Sequence, residues 1–211
     1  MTITKLGHCC LLIELNGKRI LTDPGFFTVD SHSKLSGIDC ILITHEHGDH
    51  FHIDSLKIIL QKNPQAKVYT NASVGKLMSG LPFNLLEHNQ NINLDGVKLE
   101  GFGTEHAEIY DPTVPRVQNT GYMVGEKFFY PGDALFVPEK PVEILALPVA
   151  GPWIKTKEAI EYGLAVKPRV CFPVHDALLS FTAPFHLQPQ KALSLSGITM
   201  LLPEINTPME F

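Results

Sequence analysis

Apolar runs in the first half of the chain are separated by short turn sequences, a pattern that predicts β-hairpins. Residues 8–15 and 18–22 flank Asn16-Gly17, and a second pair of runs flanks Asp95-Gly96. Dipeptides of this kind readily adopt the positive φ angles of two-residue hairpin turns. Two more strands are predicted on either side of Glu126-Lys127 in "TGYMVGEKFFYPGD". These segments favour antiparallel sheet.

Other segments alternate between strand and helix. The run "IDCILIT" is typical of a strand covered on both faces, and "SLKIILQKN" after it has helical spacing with Asp54 as the expected cap. "AKVYT" predicts a strand and "NASVGKLMSG" a short helix capped by Asn71. The last third predicts, in order, strand "VEILALPV", helix "KTKEAIEYGLAV" opened by Thr156, strand "RVCFPVHD", a helix near 189–196 and strand "GITMLL". Early hairpins followed by this alternation predict an α/β fold of two mixed β-sheets face to face with helices outside, in one domain over residues 1–211.

Composition and charge exclude several classes of protein. Apolar residues make up 44% of the chain and charged residues 18%, which is typical of a globular domain, and the formal net charge is -5. No basic run is longer than Lys18-Arg19, so no nucleic-acid partner is expected. No segment approaches the ~20 apolar residues of a membrane-spanning helix. The oligomeric state is open.

The cysteines and the N-terminus indicate a cytoplasmic protein. His8 and Glu14 interrupt the first apolar stretch, so no secretory signal is recognised. The four cysteines contain no Cys-x-x-Cys pair, and two of them are adjacent in a predicted strand, where they would point to opposite faces. A reducing compartment is therefore favoured, with the cysteines as small buried side chains rather than ligands.

The candidate chemistry is concentrated in "HEHGDH", which follows the apolar run ending at residue 44. His45 and His47 are two positions apart at a strand end, so their imidazoles project to the same side. Gly48 allows the backbone to turn, which lets Asp49 and His50 approach the same point. Three imidazoles and a carboxylate exceed what one catalytic zinc usually takes from a single segment, so the motif favours two metal ions.

Three later residues extend this set. His106, Asp133 and His175 each follow the point where a predicted strand ends. Strand ends of layered α/β folds are where sites form, so these residues are candidates to complete a metal site.

The combined pattern resembles the metallo-β-lactamase fold superfamily of hydrolases. The resemblance covers nearly the whole chain and implies a four-layer αββα sandwich with a dinuclear site at the sheet edges. It implies that His45, His47 and His106 hold one metal, that Asp49, His50 and His175 hold the other, and that Asp133 bridges them. It also makes Asp49 the catalytic candidate that orients an attacking water molecule or accepts its proton. Zinc is the expected ion, with manganese, iron or nickel as alternatives.

A narrower resemblance concerns the reaction. "LGHCCLLIELNGKRILTDPGF" is similar to the opening of the ascorbate-phosphate-lactonase-like and N-acyl-phosphatidylethanolamine-phospholipase-D-like branches, and "LPVAGPWIKTKEAIEYGLAVKP" also resembles the lactonase-like branch. This implies hydrolysis of a small ester, lactone or phosphodiester. "PGDALF" resembles glyoxalase II and keeps a thioester hydrolase as the alternative, although Ala134 stands where that family usually has Thr. A metal-binding or sensory module without turnover is the non-enzyme alternative.

Four further residues are candidates for roles around the site. His8 is expected near the metals or as a hydrogen-bonded strand-end residue. Asp23 either accepts a proton from the distal nitrogen of a ligand histidine or simply shapes a turn. Trp153 lies between a strand and a helix, as a pocket wall or a core residue. Arg116 belongs to "AEIYDPTVPRVQNT", a predicted lid in which it would meet an anionic substrate group.

Overall fold

The computed structural model describes residues 1–109, 113 and 116–211. Its strands are β1 (Thr2–Gly7), β2 (Cys10–Leu15), β3 (Lys18–Thr22), β4 (Cys40–Leu42), β5 (Lys67–Thr70), β6 (Asn84–Leu85), β7 (Asn91–Leu94), β8 (Val97–Phe102), β9 (Gly121–Val124), β10 (Phe128–Tyr130), β11 (Ile144–Pro148), β12 (Val170–Val174), β13 (Thr199–Met200) and β14 (Pro208–Glu210). Its helices are α1 (Val29–His32), α2 (Ile53–Lys62), α3 (Ala72–Gly75), α4 (Thr156–Val166) and α5 (Ala183–Ser194), with a 3₁₀-helix at Phe26–Thr28.

The strands form two mixed sheets. The first has the order β14-β1-β2-β3-β4-β5-β6 and the second the order β13-β12-β11-β10-β9-β8-β7. The hairpins predicted from turn residues are confirmed. Leu15 pairs with Lys18 around Asn16-Gly17, both of which have positive φ, and Leu94 pairs with Val97 around Asp95-Gly96. Local turn chemistry therefore sets the register of both hairpins.

Apolar side chains fill three layers between and around the sheets. Large buried residues from both sheets, such as Ile13, Leu42 and Tyr122, form the layer between them. On the outer face of the first sheet, Leu56 and Ile59 of α2 pack against strand residues. On the outer face of the second sheet, helices α4 and α5 cover the strands in the same way. The predicted four-layer αββα sandwich is confirmed.

Several local predictions were wrong. Asp54 does not cap α2, because the helix begins at Ile53 and the capping position belongs to His52. Asp54 lies in the first turn, where its carboxylate pairs with Lys57. Helix α5 begins at Ala183 instead of near 189 and contains Pro189, which is buried. The predicted strand "GITMLL" contributes only the two residues of β13.

Some elements had no counterpart in the sequence pattern. Strand β14 pairs with β1, so that Thr2 lies opposite Glu210. The strand β1 itself and the short helix α1 were also not predicted. Within the described ranges, no helix has both the length and the apolar character needed to cross a membrane. Cys9, Cys10, Cys40 and Cys171 are buried free thiols.

Candidate metal centre

The candidate ligands come together where strands of both sheets end. The segment 45–50 follows β4 of the first sheet. His106, Asp133 and His175 follow β8, β10 and β12 of the second sheet. The two facing sheets thus each supply part of one cluster.

The side chains form two adjacent groups. In the first group the ligand atoms of His45, His47, His106 and Asp133 all lie within 4.8 Å of one another. In the second group the same holds for His8, Asp49, His50 and His175. All seven residues predicted as ligands are therefore brought together, and His8 joins them.

Asp133 lies between the two groups. Its Oδ2 atom is 3.4 Å from Nε2 of His106 and 2.8 Å from Nε2 of His175. Its Oδ1 atom is 3.2 Å from Nε2 of His50. One carboxylate therefore contacts histidines of both groups, as the predicted bridging role of Asp133 requires.

The distal nitrogens of three histidines are already hydrogen-bonded. Nδ1 of His50 donates to the buried carboxylate of Asp23 over 2.7 Å, and Nδ1 of His106 donates to the carbonyl oxygen of Ala107 over 2.6 Å. Nδ1 of His45 lies 3.0 Å from Oγ1 of Thr44, whose own proton goes to Asp23. When such an imidazole is neutral, its Nε2 atom carries a lone pair directed into the cluster.

Several buried atoms in the cluster have no hydrogen-bond partner in the described part of the chain. They include Nε2 of His50, Nε2 of His106 and Oδ1 of Asp133. Buried polar atoms without partners are costly, and those with lone pairs facing a common point are what a cation satisfies. Imidazole and carboxylate donors are also the ligand types that zinc and related ions prefer. The residues present therefore fit divalent metal ions.

The electrostatics of the cluster agree with this interpretation. Burial opposes ionisation of Asp133, but the imidazoles of His50 and His175 outweigh it and hold its pKa well below the usual range. Burial likewise opposes ionisation of Asp49, yet hydrogen bonds from His175 and His8 lower its pKa. Burial lowers the pKa of His45 and keeps its imidazole neutral. Ionised carboxylates and a neutral imidazole are the protonation states that metal binding requires.

The pKa values of His50 and His175 are raised, opposite to the shift at His45. Burial disfavours their charged forms, but nearby carboxylates together outweigh it. Asp133 and Asp49 raise the pKa of His175 to about 10, and Asp133 and Asp23 raise that of His50 well above its usual value. In the metal-free cluster these two imidazoles bind protons. A metal ion at this position would displace those protons.

His8 has both ring nitrogens in hydrogen bonds. Nδ1 accepts the backbone N–H of Ala177 over 3.3 Å, so Nε2 carries the proton and donates it to Oδ2 of Asp49 over 3.1 Å. This tautomer orients the Asp49 carboxylate and leaves no lone pair of His8 facing the cluster. The strand-end hydrogen bonding and the proximity to the candidate ligands, considered as alternatives from the sequence, occur together.

Asp23 and Trp153 hold residues of the cluster from outside. Asp23 is fully buried and accepts hydrogen bonds from His50, from the backbone and side chain of Thr44, and from the hydroxyl of Tyr130. Trp153 is buried, and its indole Nε1 donates to Oδ2 of Asp133 over 3.0 Å. The indole therefore packs in the core and also contacts a candidate ligand.

Arg116 lies at the side of the cluster. It lines a cavity of about 320 Å³ together with His106, but its guanidinium pairs with Glu105 and Glu108 at 3.1 and 2.8 Å. Its charge is thus already balanced, and contact with an anionic substrate stays a prediction. Tyr110, Pro112 and Pro115 of the predicted lid lie outside the described residues.

Sequence reasoning missed Thr44, Tyr130 and Cys9. Thr44 precedes the first motif histidine and links it to Asp23, so its position next to His45 was an available signal. Tyr130 precedes the loop that carries Asp133, but nothing in the sequence shows that its hydroxyl reaches Asp23. The Cys9 thiol lies within 4.8 Å of the ligand atoms of His50 and Asp133, although the sequence favoured a purely structural role.

Two helix-covered mixed sheets with a His/Asp cluster at their edges define the metallo-β-lactamase fold. Residues 2–175 match the family described as the beta-lactamase superfamily domain, and the chain belongs to this superfamily. It is 36% identical over 185 residues to Protein Rv0786c of Mycobacterium tuberculosis, covering 85% of this chain and 86% of that protein. It is 25% identical to the UPF0173 metal-dependent hydrolase Ta0764 of Thermoplasma acidophilum, covering 97% and 96%.

The fold is shared with solved structures. The solved structure of a putative metal-dependent hydrolase from Parabacteroides distasonis superposes with a TM-score of 0.80, covering 96% of this chain and 92% of that one. The two sequences are 22% identical, so this similarity concerns the fold alone.

Proposed function

We propose that this protein is a metal-dependent hydrolase of a small ester, lactone or phosphodiester, with residues 1–211 as one domain. In this proposal His45, His47 and His106 hold one divalent ion, Asp49, His50 and His175 hold a second, and Asp133 bridges them. The contact of Asp133 with both histidine groups is the observation that carries the proposal. The relative from Thermoplasma acidophilum, named as a metal-dependent hydrolase, supports it.

Divalent ions supply Lewis acidity for hydrolysis and make a water molecule more acidic, and zinc, manganese, iron and nickel all suit these donors. The chain itself supplies orientation and access. Asp49 and His47 are only half-buried, whereas the other five proposed ligands are buried, so solvent and substrate approach past these two residues. In this proposal Asp49 orients a water molecule or accepts its proton, and the hydrogen bond from His8 supports this role by orienting the carboxylate.

Metal content tests the proposal first. Protein purified without chelator is analysed by inductively coupled plasma mass spectrometry, and we expect about two metal ions per chain, the number that a dinuclear site implies. Asp133→Asn should reduce the metal content strongly. Asp54→Asn, the same substitution on an exposed helix position, should not. Metal content near zero after reconstitution at neutral pH would contradict the proposal.

A substrate panel then tests the reaction. The metal-loaded protein is assayed against lactones, carboxylic esters, phosphodiesters and S-lactoylglutathione. We expect turnover of a small ester, lactone or phosphodiester, and a preference for S-lactoylglutathione would establish the thioester alternative. A fully loaded protein inert on the whole panel would favour the metal-binding or sensory module. The cytoplasmic location stays a prediction from the sequence.

A further inference from the structure

Residues 25–27, which follow Asp23, contact the loop carrying Asp49 through their backbone. The backbone N–H of Phe26 donates to the carbonyl oxygen of Gly48 over 3.0 Å. Gly25 lies so close that a Cβ atom on it would be 1.8 Å from the carbonyl oxygen of Asp49. The positions of residues 25–27 relative to the candidate metal centre are therefore set by direct backbone contact.

This segment presents two aromatic rings to solvent. Phe26 is 48% exposed and Phe27 is 40% exposed. Their ring centroids are 4.4 Å apart, and the Phe27 ring lies 4.8 Å from His8, which in turn lies 4.3 Å from His175. A continuous row of rings therefore leads from solvent to the cluster, on the side where half-buried Asp49 admits substrate.

Fold stability does not account for the placement of both rings. Burying a Phe side chain stabilises a fold, and these two side chains leave much of their apolar surface in water. The absence of a side chain at Gly48 leaves room beside the Phe26 ring, because a Cβ there would lie 3.2 Å from it. Exposed apolar surface held rigidly beside a candidate active site is typical of a binding surface.

The charges nearby indicate what kind of group would bind. Lys5, close to the His175 segment, pairs with Asp176 over 2.7 Å, and Arg116 pairs with two glutamates. Both cations are thus neutralised by carboxylates of the protein. An uncharged apolar group fits this surface better than a phosphate does.

Resting on the proposed function, we propose that Phe26 and Phe27 form the apolar wall of the substrate site and bind the acyl chain of a carboxylic ester or lactone. The wall makes chain length a determinant of specificity. Extra methylene groups would cover the exposed rings and be removed from water together with them.

A chain-length series tests this role. Metal-loaded wild type and the Phe26→Ala/Phe27→Ala double variant are assayed on 4-nitrophenyl acetate, butyrate and hexanoate. We expect kcat/KM of the double variant to fall at least tenfold more for hexanoate than for acetate. Phe83→Ala is the matched control, because Phe83 is similarly exposed but packs against Gly75 of α3. The control should keep the wild-type dependence on chain length.

Binding of 1-hexanol gives a readout that needs no turnover. Saturation-transfer NMR should detect its alkyl protons on wild type and on Phe83→Ala, with at least a tenfold weaker affinity for the double variant. Suppose that hexanol binding depends on the two rings but the protein is inert on every ester. This result would support the apolar wall and contradict the esterase reaction. Ester turnover with equal dependence on chain length in wild type and double variant would overturn the wall alone. Concentration-dependent dimerisation abolished by the double variant would also overturn it, because the rings would then cover a second copy.

Discussion

The indole Nε1 of Trp153 donates a hydrogen bond to Oδ2 of Asp133, the carboxylate that contacts both histidine groups. Trp153→Phe keeps an aromatic ring and removes this donor. We expect metal affinity to fall about 10- to 100-fold, as is usual when a group that orients a ligand is lost. Competition with a chromophoric chelator measures the change.

The matched control for this prediction is Tyr162→Phe. It also removes one hydrogen bond of a buried side chain, from the Tyr162 hydroxyl to the carbonyl oxygen of Phe136. We expect it to cost about 1 kcal/mol of stability and to leave metal affinity unchanged. Equal losses of affinity in the two variants would show that the indole acts only through packing.

Asp23 is expected to be essential for the orientation of His50. In Asp23→Asn, the amide nitrogen either faces the donors of His50, Tyr130 and the Thr44 hydroxyl or leaves the backbone N–H of Thr44 without an acceptor. The metal-free protein should lose about 1–3 kcal/mol of unfolding free energy, measured by urea denaturation. Metal affinity should also fall about 10- to 100-fold. A variant with wild-type stability and affinity would rule out this role of the carboxylate.

Gly25 is expected to tolerate no side chain. Its φ angle of -79° is open to any residue, so the cost of Gly25→Ala is purely steric, from a Cβ 1.8 Å from the carbonyl oxygen of Asp49. We expect loss of bound metal and a lower melting temperature. Gly17→Ala is the complementary control, because its Cβ meets nothing within 4 Å and only its positive φ is unfavourable. That control should cost about 1 kcal/mol and keep its metal. Loss of metal from Gly17→Ala but not from Gly25→Ala would contradict the prediction that the space at Gly25 is needed for the metal site.

His32 is expected to make stability depend on pH. Its burial lowers its pKa from 6.5 to about 4. Between these values the unfolded chain binds a proton that the folded protein does not. The stability contributed by neutral His32 is therefore complete above pH 6.5 and declines as the pH falls towards 4, by up to about 3 kcal/mol.

Comparison with His32→Gln isolates this effect. In metal-free protein, the unfolding free energy of wild type minus that of the variant should decrease as the pH falls from 6.5 to 4. Chemical denaturation at several pH values measures both. A difference that stays constant with pH would show that His32 is protonated equally in the folded and unfolded states.

Local sequence chemistry was sufficient for the hairpins and the candidate ligand set. Asn16-Gly17 and Asp95-Gly96 predict their turns because the required φ angles are a property of those residues alone. Strand alternation predicts a common direction for His45 and His47, and the turn allowed by Gly48 brings Asp49 and His50 towards the same point. These inferences need only a few consecutive residues.

Predictions failed where packing between distant elements decides the outcome. Helix α5 continues through Pro189, although proline normally disfavours a helix interior. The helix packs against α4 and buries Pro189 and Leu193, and burial of this face outweighs the local preference. Strand β14 was not predicted because it forms only by pairing with β1, which lies at the other end of the chain.

The sequence by itself determined which side chains could bind metal and which turns form, because both depend on residue type and short spacing. Only the tertiary structure decided that Trp153 holds Asp133, that Asp23 fixes His50, and that Phe27 stands beside His8. These partners are between 19 and 27 residues apart in the chain. Their contacts exist because strands of the same sheet end side by side, so that the loops after them come into contact.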